Sequence, residues 1–132
     1  MMGLLYRAAD RIRRRRYAED HGRIGEDMAY RFLRARGCTV VARNYRTLSG
    51  SGEIDLVAWD GRKLAFIEVK TRGSQEFGAP ESAVDAQKRE RVRYAARDYA
   101  RRAEIPWPDT RFDIVSIVLD SPARIEWLRD AF

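Results

Sequence analysis

A chain of 132 residues, 45% hydrophobic and 35% charged, has room for one domain with its own core, and its formal charge of +6 suggests an anionic partner. The single cysteine, Cys38, excludes an internal disulfide framework and any multi-cysteine zinc site, and the single histidine, His21, has no partner for a His-based metal centre or a Ser-His pair. No stretch approaches the roughly twenty apolar residues that span a bilayer, and the weak apolar run Met1 to Tyr6 precedes its basic residues, unlike a signal peptide, so a cytoplasmic protein without a membrane partner is expected.

The positive charge is concentrated at the start. Met1 to Arg23 holds seven arginines against three acids, a net +4 that leaves +2 for the rest of the chain. Residues 1–21 read as an arginine-rich N-terminal segment and residues 22–132 as the domain. The run Arg11, Arg13, Arg14, Arg15, Arg16 suits nucleic-acid phosphates, anionic lipid or simple solvation. Gly22 to Arg36 then reads as a helix, because Ile24, Met28, Ala29, Phe32 and Leu33 recur at helical spacing and Gly37 follows as a stop. Glu26 falls near the edge of that apolar stripe, and His21 reads as a loop residue ahead of the helix. Cys38, beside a β-branched run, reads as a small buried residue.

Cys38 to Tyr45 has strand composition and ends in the polar turn Thr47 to Gly52. Glu53 to Trp59 is the next strand, and Asp60-Gly61 signals a hairpin that pairs it with Lys63 to Thr71. Arg72 to Pro80 reads as a loop. Val84 to Ala103 reads as a helix with an apolar stripe of Val92, Ala95, Ala96, Tyr99, Ala100 and Ala103. Arg89, Arg93, Arg97 and Arg101 form a ridge off that stripe, which interleaved acids mark as a solvated, ion-paired face. Arg111 to Leu119 and Arg124 to Leu128 read as two final strands. The order is an α/β (α+β) domain with a central mixed five-stranded sheet flanked by helices, in which the long helix permits a parallel crossover between the third and fourth strands.

Chemistry concentrates on the central hairpin. Strand side chains alternate, so Glu53, Asp55 and Val57 share one face and Ile54, Leu56 and Ala58 the other; Phe66, Glu68 and Lys70 lie together, with Ile67 and Val69 opposite. Two carboxylates on neighbouring strands suit Mg²⁺, a hard cation bound by one or two carboxylates plus water and phosphate oxygens, and Lys70 could hold or polarise an attacking water. The alternative is a set of cross-strand ion pairs on a solvent-facing hairpin. Against it, Val57 and Phe66 put hydrophobes on the same face, which implies that another element covers it and makes unliganded carboxylates there costly. Both readings stay open on the residues alone.

Gly52-Glu53-Ile54-Asp55 followed by Phe66-Ile67-Glu68-Val69-Lys70-Thr71-Arg72 resembles the YraN-like family of small bacterial proteins, within the restriction-endonuclease-like PD-(D/E)xK superfamily that includes archaeal Holliday junction resolvases. The resemblance runs from Gly22 to Phe132 and takes in Gly25-Glu26, Arg43-Asn44-Tyr45-Arg46, Phe77-Gly78, Lys88, Arg111-Phe112-Asp113 and Asp130-Ala131-Phe132. It implies a restriction-endonuclease-like fold and a Mg²⁺- or Mn²⁺-dependent endonuclease acting on DNA, at branched or single-stranded structures in recombination, repair or DNA uptake. The alternative it leaves is a non-catalytic nucleic-acid-binding module that acts through a partner protein.

By the same resemblance Asp55 and Glu68 are metal ligands, Lys70 is the catalytic lysine and Glu26 is the helix acid that reaches the site through metal or water. Gln87 or Lys88 is the polar helix residue facing substrate, and Arg43, Arg46 and Arg72 are candidate phosphate contacts. Glu53 belongs to the motif, with a turn-stabilising contact as open to it as metal binding. The superfamily's proline before the first acid is replaced by Ile54, which costs no ligand. Trp59, Trp107 and Trp127 read as packing residues. Junction-cutting relatives are dimers, which makes a homodimer the assembly implied here.

Overall fold

The computed structural model describes residues 2–73 and 85–132. Its elements are α1 (Met2–Ala35), β1 (Thr39–Arg46), β2 (Glu53–Asp60), β3 (Lys63–Arg72), α2 (Ala86–Arg102), a 3₁₀ turn (Trp107–Asp109), β4 (Thr110–Val118) and β5 (Arg124–Leu128). The strands form one sheet in chain order, antiparallel throughout except for the parallel β3–β4 pair. The mixed five-stranded α+β architecture expected from the sequence is therefore present, crossover included. The loop expected over Arg72 to Pro80, with Phe77 and Gly78, falls mostly outside the described residues.

Helices cover the sheet from both sides. On one face Ala29 and Leu33 of α1 pack on Leu56, Ala58, Ala65, Ile67, Val69, Val115 and Ile117, with Cys38 buried beside them. On the other, Val92, Ala95, Ala96 and Ala100 of α2 pack on Ile54, Val57, Leu64 and Phe66. Small residues on α2 let it lie close: a Cβ added at Gly52 would come within 2.9 Å of the Arg91 carbonyl oxygen and the Ala95 nitrogen. Gly52 thus seats the start of β2 directly under α2.

Three local expectations are corrected. The first helix does not begin at Gly22 but runs through it from Met2, and His21 is helical. Nothing between residues 7 and 21 breaks a helix, its arginines and alanines being good formers, and the internal Gly22 and Gly25 cost only about 1 kcal/mol each. Ile24 does not join the buried stripe, being 48% exposed. Gly25 takes the inward position instead, so close to β3 that a Cβ would collide with Thr71 Oγ1. In the hairpin, Asp60 pairs with Lys63, so the turn is Gly61-Arg62, one residue later than expected, with Gly61 at φ +62°. Only glycine adopts that angle freely, which fixes it at the first turn position.

Helix ends follow ordinary capping. Gly37 takes φ +85° while the Cys38 and Gly37 amides donate to Leu33 and Arg34 carbonyls at 3.0 Å each. Asp85 caps α2, accepting the Lys88 amide at 2.7 Å, so the helix starts two residues after the expected Val84.

Candidate active site

β2 and β3 pair from Asp60↔Lys63 as far as Leu56↔Ile67. Beyond that point Asp55 Oδ2 accepts the Val69 amide at 2.8 Å, so a carboxylate takes the place a backbone rung would hold. Side-chain alternation breaks at the same point. Ile54 packs under α2 while Leu56 packs under α1, against the expectation that both share a face. The parting of the strands at Asp55 is the physical reason.

Glu68, on β3, is only 2% exposed. Its Oε1 lies 2.5 Å from Nζ of Lys88, which reaches down from α2. Burial and then the charge of Glu68 push the Asp55 carboxyl up to about 7. Burial alone would lower Lys88, but Glu68 outweighs it and holds the ammonium's pKa above its usual range. Glu26, half-buried on α1, is also raised, by burial and then by the charge of Asp55, against the opposing effects of Asn44 and Arg43. Asp55 thus links the acids, feeling Glu68 across the strands and being felt by Glu26 on α1. Gly25 makes this geometry: by pressing α1 onto Thr71 it brings the next residue, Glu26, toward Asp55.

Lys70 lies two residues past Glu68 and lines a cleft of ≈ 410 Å³ with Tyr17, His21, Gly22, Val69, Thr71 and Lys88. Gly22 also borders a neighbouring hollow with Glu19, Arg23 and Glu26. Lys70 and Glu26 consequently open on adjoining spaces on either side of one helical glycine.

The remaining expected residues are distributed as follows. Of the α2 pair, Lys88 faces the acids and Gln87 is exposed. Glu53 pairs with Arg91 at 3.3 Å and with Arg46 at 3.9 Å, bracing β2 against α2 and β1. Arg43 Nη2 donates to Asp27 Oδ1 at 2.6 Å and its guanidinium lies over the Tyr30 ring, tying β1 to α1. Arg72, at the end of β3, borders a separate hollow of ≈ 220 Å³ with Ser116 and Glu126. Trp59 packs beside the α2-side core, Trp107 stacks on Phe66, and Trp127 donates to Asp113 at 3.0 Å. In the basic ridge of α2, Arg93 and Arg101 pair with Glu90 and Asp98, as the interleaved acids imply.

Asn44 had no role assigned from sequence. It sits within β1 at φ +51°, a left-handed conformation that asparagine tolerates better than most residues, and its side chain works against the upward shift of the Glu26 carboxyl. An asparagine inside a strand run was the available signal. Tyr17 and His21 were also missed, because the helix was taken to begin after them.

The donor set fits a hard divalent cation that keeps much of its water. Asp55 and Glu68 supply two carboxylates whose mutual repulsion, visible in the raised Asp55, one lysine does not fully offset. Among the described residues no three His, Cys, Asp or Glu side chains gather tightly enough to hold a metal ion by themselves.

Residues 25–117 match the family model described as "Uncharacterised protein family UPF0102". A UPF0102 protein of Solibacter usitatus is 71% identical over 132 residues, covering all of both chains. One from Koribacter versatilis is 48% identical over 112 residues, 84% of this chain and 78% of its own. Another from Chlorobium limicola is 46% identical over 100 residues, 76% of each. The chain belongs to the UPF0102 family, in agreement with the resemblance carried by residues 52–72.

Proposed function

We propose that this UPF0102 protein is a metal-dependent endonuclease that hydrolyses nucleic-acid phosphodiesters, with branched or single-stranded DNA as its expected substrate. The observation that carries this reading is the under-neutralised acid pair, Asp55 raised to about 7 beside buried Glu68, with Lys70 two residues along the same strand. Asp55 and Glu68 would hold Mg²⁺ or Mn²⁺, aided by the Val69 carbonyl, and Glu26 would act through water. The bound cation would supply positive charge to the phosphate oxygens and acidify water. Lys70 would hold the attacking water beside the scissile phosphate as a point charge. The cost of one buried and one partly buried carboxylate side by side is understandable if a bound cation relieves it.

The test is cleavage of labelled branched and single-stranded oligonucleotides with Mg²⁺ or Mn²⁺ against EDTA. Cleavage is expected from the wild type and lost in Asp55→Ala and Lys70→Ala while binding persists. Equal cleavage by all three proteins would expose a contaminant and remove the reading.

A second reading, a nucleic-acid-binding module acting through a partner, is favoured by one observation. Lys88 Nζ already lies 2.5 Å from Glu68, where it can serve as a permanent counter-ion. Oligonucleotide binding by the wild type without cleavage under any divalent cation is its signature.

A further inference from the structure

The N-terminal half of α1 is left unexplained by the cleft chemistry. α1 is 34 residues long, about 51 Å at 1.5 Å per residue, yet its packing on the core begins only near Gly25, with Tyr17 and His21 bordering the cleft before it. Residues 10–17 are all exposed. A helix that is polar nearly all round needs a solvated or charged role. It is not an apolar anchor over that stretch: its exposed large hydrophobics are Ile12 and Tyr17, five residues apart and on different faces.

Its charge is organised with respect to the cleft. Arg7, Asp10, Arg14, Tyr17 and His21 follow at intervals of three and four, one continuous face, and Tyr17 and His21 at its end line the cleft with Lys70 and Lys88. The Tyr17 and His21 rings pack together at the cleft rim, their centroids 3.7 Å apart and their planes tilted by 49°. Upstream, Arg7, Arg11 and Arg14 line one hollow of ≈ 270 Å³ together with Asp10. Among the described residues these three arginines make no ion pair, whereas Arg13, Arg15 and Arg23 are paired with Asp10, Glu19 and Asp20. Three guanidinium groups without an ion pair thus gather on the side that runs into the cleft, against one, Arg16, on the far side.

We infer that this helical extension is a rail for the sugar-phosphate backbone of nucleic acid leaving the cleft, held by Arg7, Arg11 and Arg14. The inference rests on the proposed function only in taking nucleic acid as the occupant of the cleft. Arg7 to His21 spans about 21 Å, enough to follow roughly six phosphates of one duplex strand at 3.4 Å each. The contacts are to phosphate and carry register rather than sequence.

The test is fluorescence anisotropy with the full chain in EDTA, using labelled duplexes whose flank beyond a single-stranded gap is lengthened stepwise. Two double variants each remove two charges with a good helix former: Arg7→Gln with Arg14→Gln on the cleft side, and Arg13→Gln with Arg16→Gln on the far side. The cleft-side pair is expected to lower the slope of log affinity against log salt by roughly 1.8, as the loss of two phosphate contacts requires, and the far-side pair by less than a third of that. Affinity should stop rising once the flank passes about six base pairs. Equal losses from both pairs, no loss from either, or an effect confined to vesicles of mixed neutral and anionic phospholipid would each overturn the rail. Because affinity is read without divalent metal, failure to cleave removes the nuclease reading alone, and loss of side-dependence removes the rail alone.

Discussion

Two acidic clusters share the sheet, with buried Asp113 opposite Ile67 and so one rung from buried Glu68, and their carboxylates are treated very differently. Asp113, fully buried on β4, accepts four hydrogen bonds: from Arg111 Nε and Nη2 at 2.8 Å each, from Trp127 Nε1 at 3.0 Å and from the Asp130 amide at 2.9 Å. Arg111 also reaches Asp60 at 2.9 Å, and Arg129 joins it at 3.1 Å. Held by Asp113 first and Asp60 next, the guanidinium keeps its charge more firmly than usual. Asp55 has one backbone amide, a like-charged neighbour and a lysine already committed to Glu68. A saturated carboxylate stabilises the fold; an under-partnered one, partly buried like Asp55, holds unspent attraction for a cation. The contrast separates the two groups of acids by role without any appeal to their identity.

Breaking the saturated cluster should have the largest effect. Asp113→Ala strands a buried guanidinium and two N–H donors, and a loss of about 3–5 kcal/mol in urea unfolding is expected. Asp113→Asn should lose less, since two acceptor positions become one while the shape is kept. A loss under 1 kcal/mol in the alanine variant would show that the network is not structural. Next, Lys70→Ala is expected to reduce metal-dependent cleavage at least a hundredfold, roughly 2.7 kcal/mol, with urea unfolding almost unchanged. A parallel fall in stability would make Lys70 a structural residue like Arg111.

The third test uses the sign of the Asp55 shift. Its folded pKa, about 7, stands above its ordinary 3.8, so the folded state keeps a proton that the unfolded chain releases. Ionisation therefore works against folding: stability should fall as pH rises from about 4 to 7, and the penalty is fully present above 7. Asp55→Asn cannot ionise. In EDTA it should be more stable than wild type by about 1–3 kcal/mol at pH 8 and equal to it near pH 4. A variant less stable than wild type at pH 8 would place Asp55 with Asp113 as a stabilising acid. The smallest effect is expected from Lys88→Gln, which removes the counter-ion from Glu68. Its melting temperature without metal should drop by a few degrees, and added Mn²⁺ should raise it by more than in wild type. Equal metal shifts in the two proteins would mean that Lys88 and the cation do not share a carboxylate.

Most of the sheet was legible in the sequence because each strand carries its own β-branched run and turn signal, and the long helix between β3 and β4 admits a parallel crossover. The motif residues were legible for the same reason: Asp55, Glu68 and Lys70 sit on strands whose ends are marked by Gly52, Gly61 and Arg72. What was hidden depends on contacts between distant elements. Ile54 changes face because β2 parts from β3, which no alternation pattern records. The choice of Lys88 over Gln87 depends on how α2 rotates over Glu68. The helical stretch before Gly22 was hidden because the apolar stripe that marks the helix begins only after that glycine, although a glycine costs a helix only about 1 kcal/mol and the arginines before it are good formers. Arg111 and Asp113 could be quoted as a motif, but their purpose required seeing Trp127 and Asp130 arrive from the other end of β4 and β5.

Asn44 has one more consequence. β1 is an edge strand, and along it Val41 is squeezed out of register between Val40 and Ala42 while Asn44 takes its left-handed turn three residues later. Two such interruptions in so short a strand spoil its open row of amides and carbonyls as a template for another strand. Extension of this sheet by a second copy through β1 is thereby disfavoured, which leaves the other edge strand, β5, together with helices and loops, as the surfaces through which a symmetric pair would meet. The residue that steadies Glu26 also keeps neighbouring molecules from zipping onto this edge of the domain.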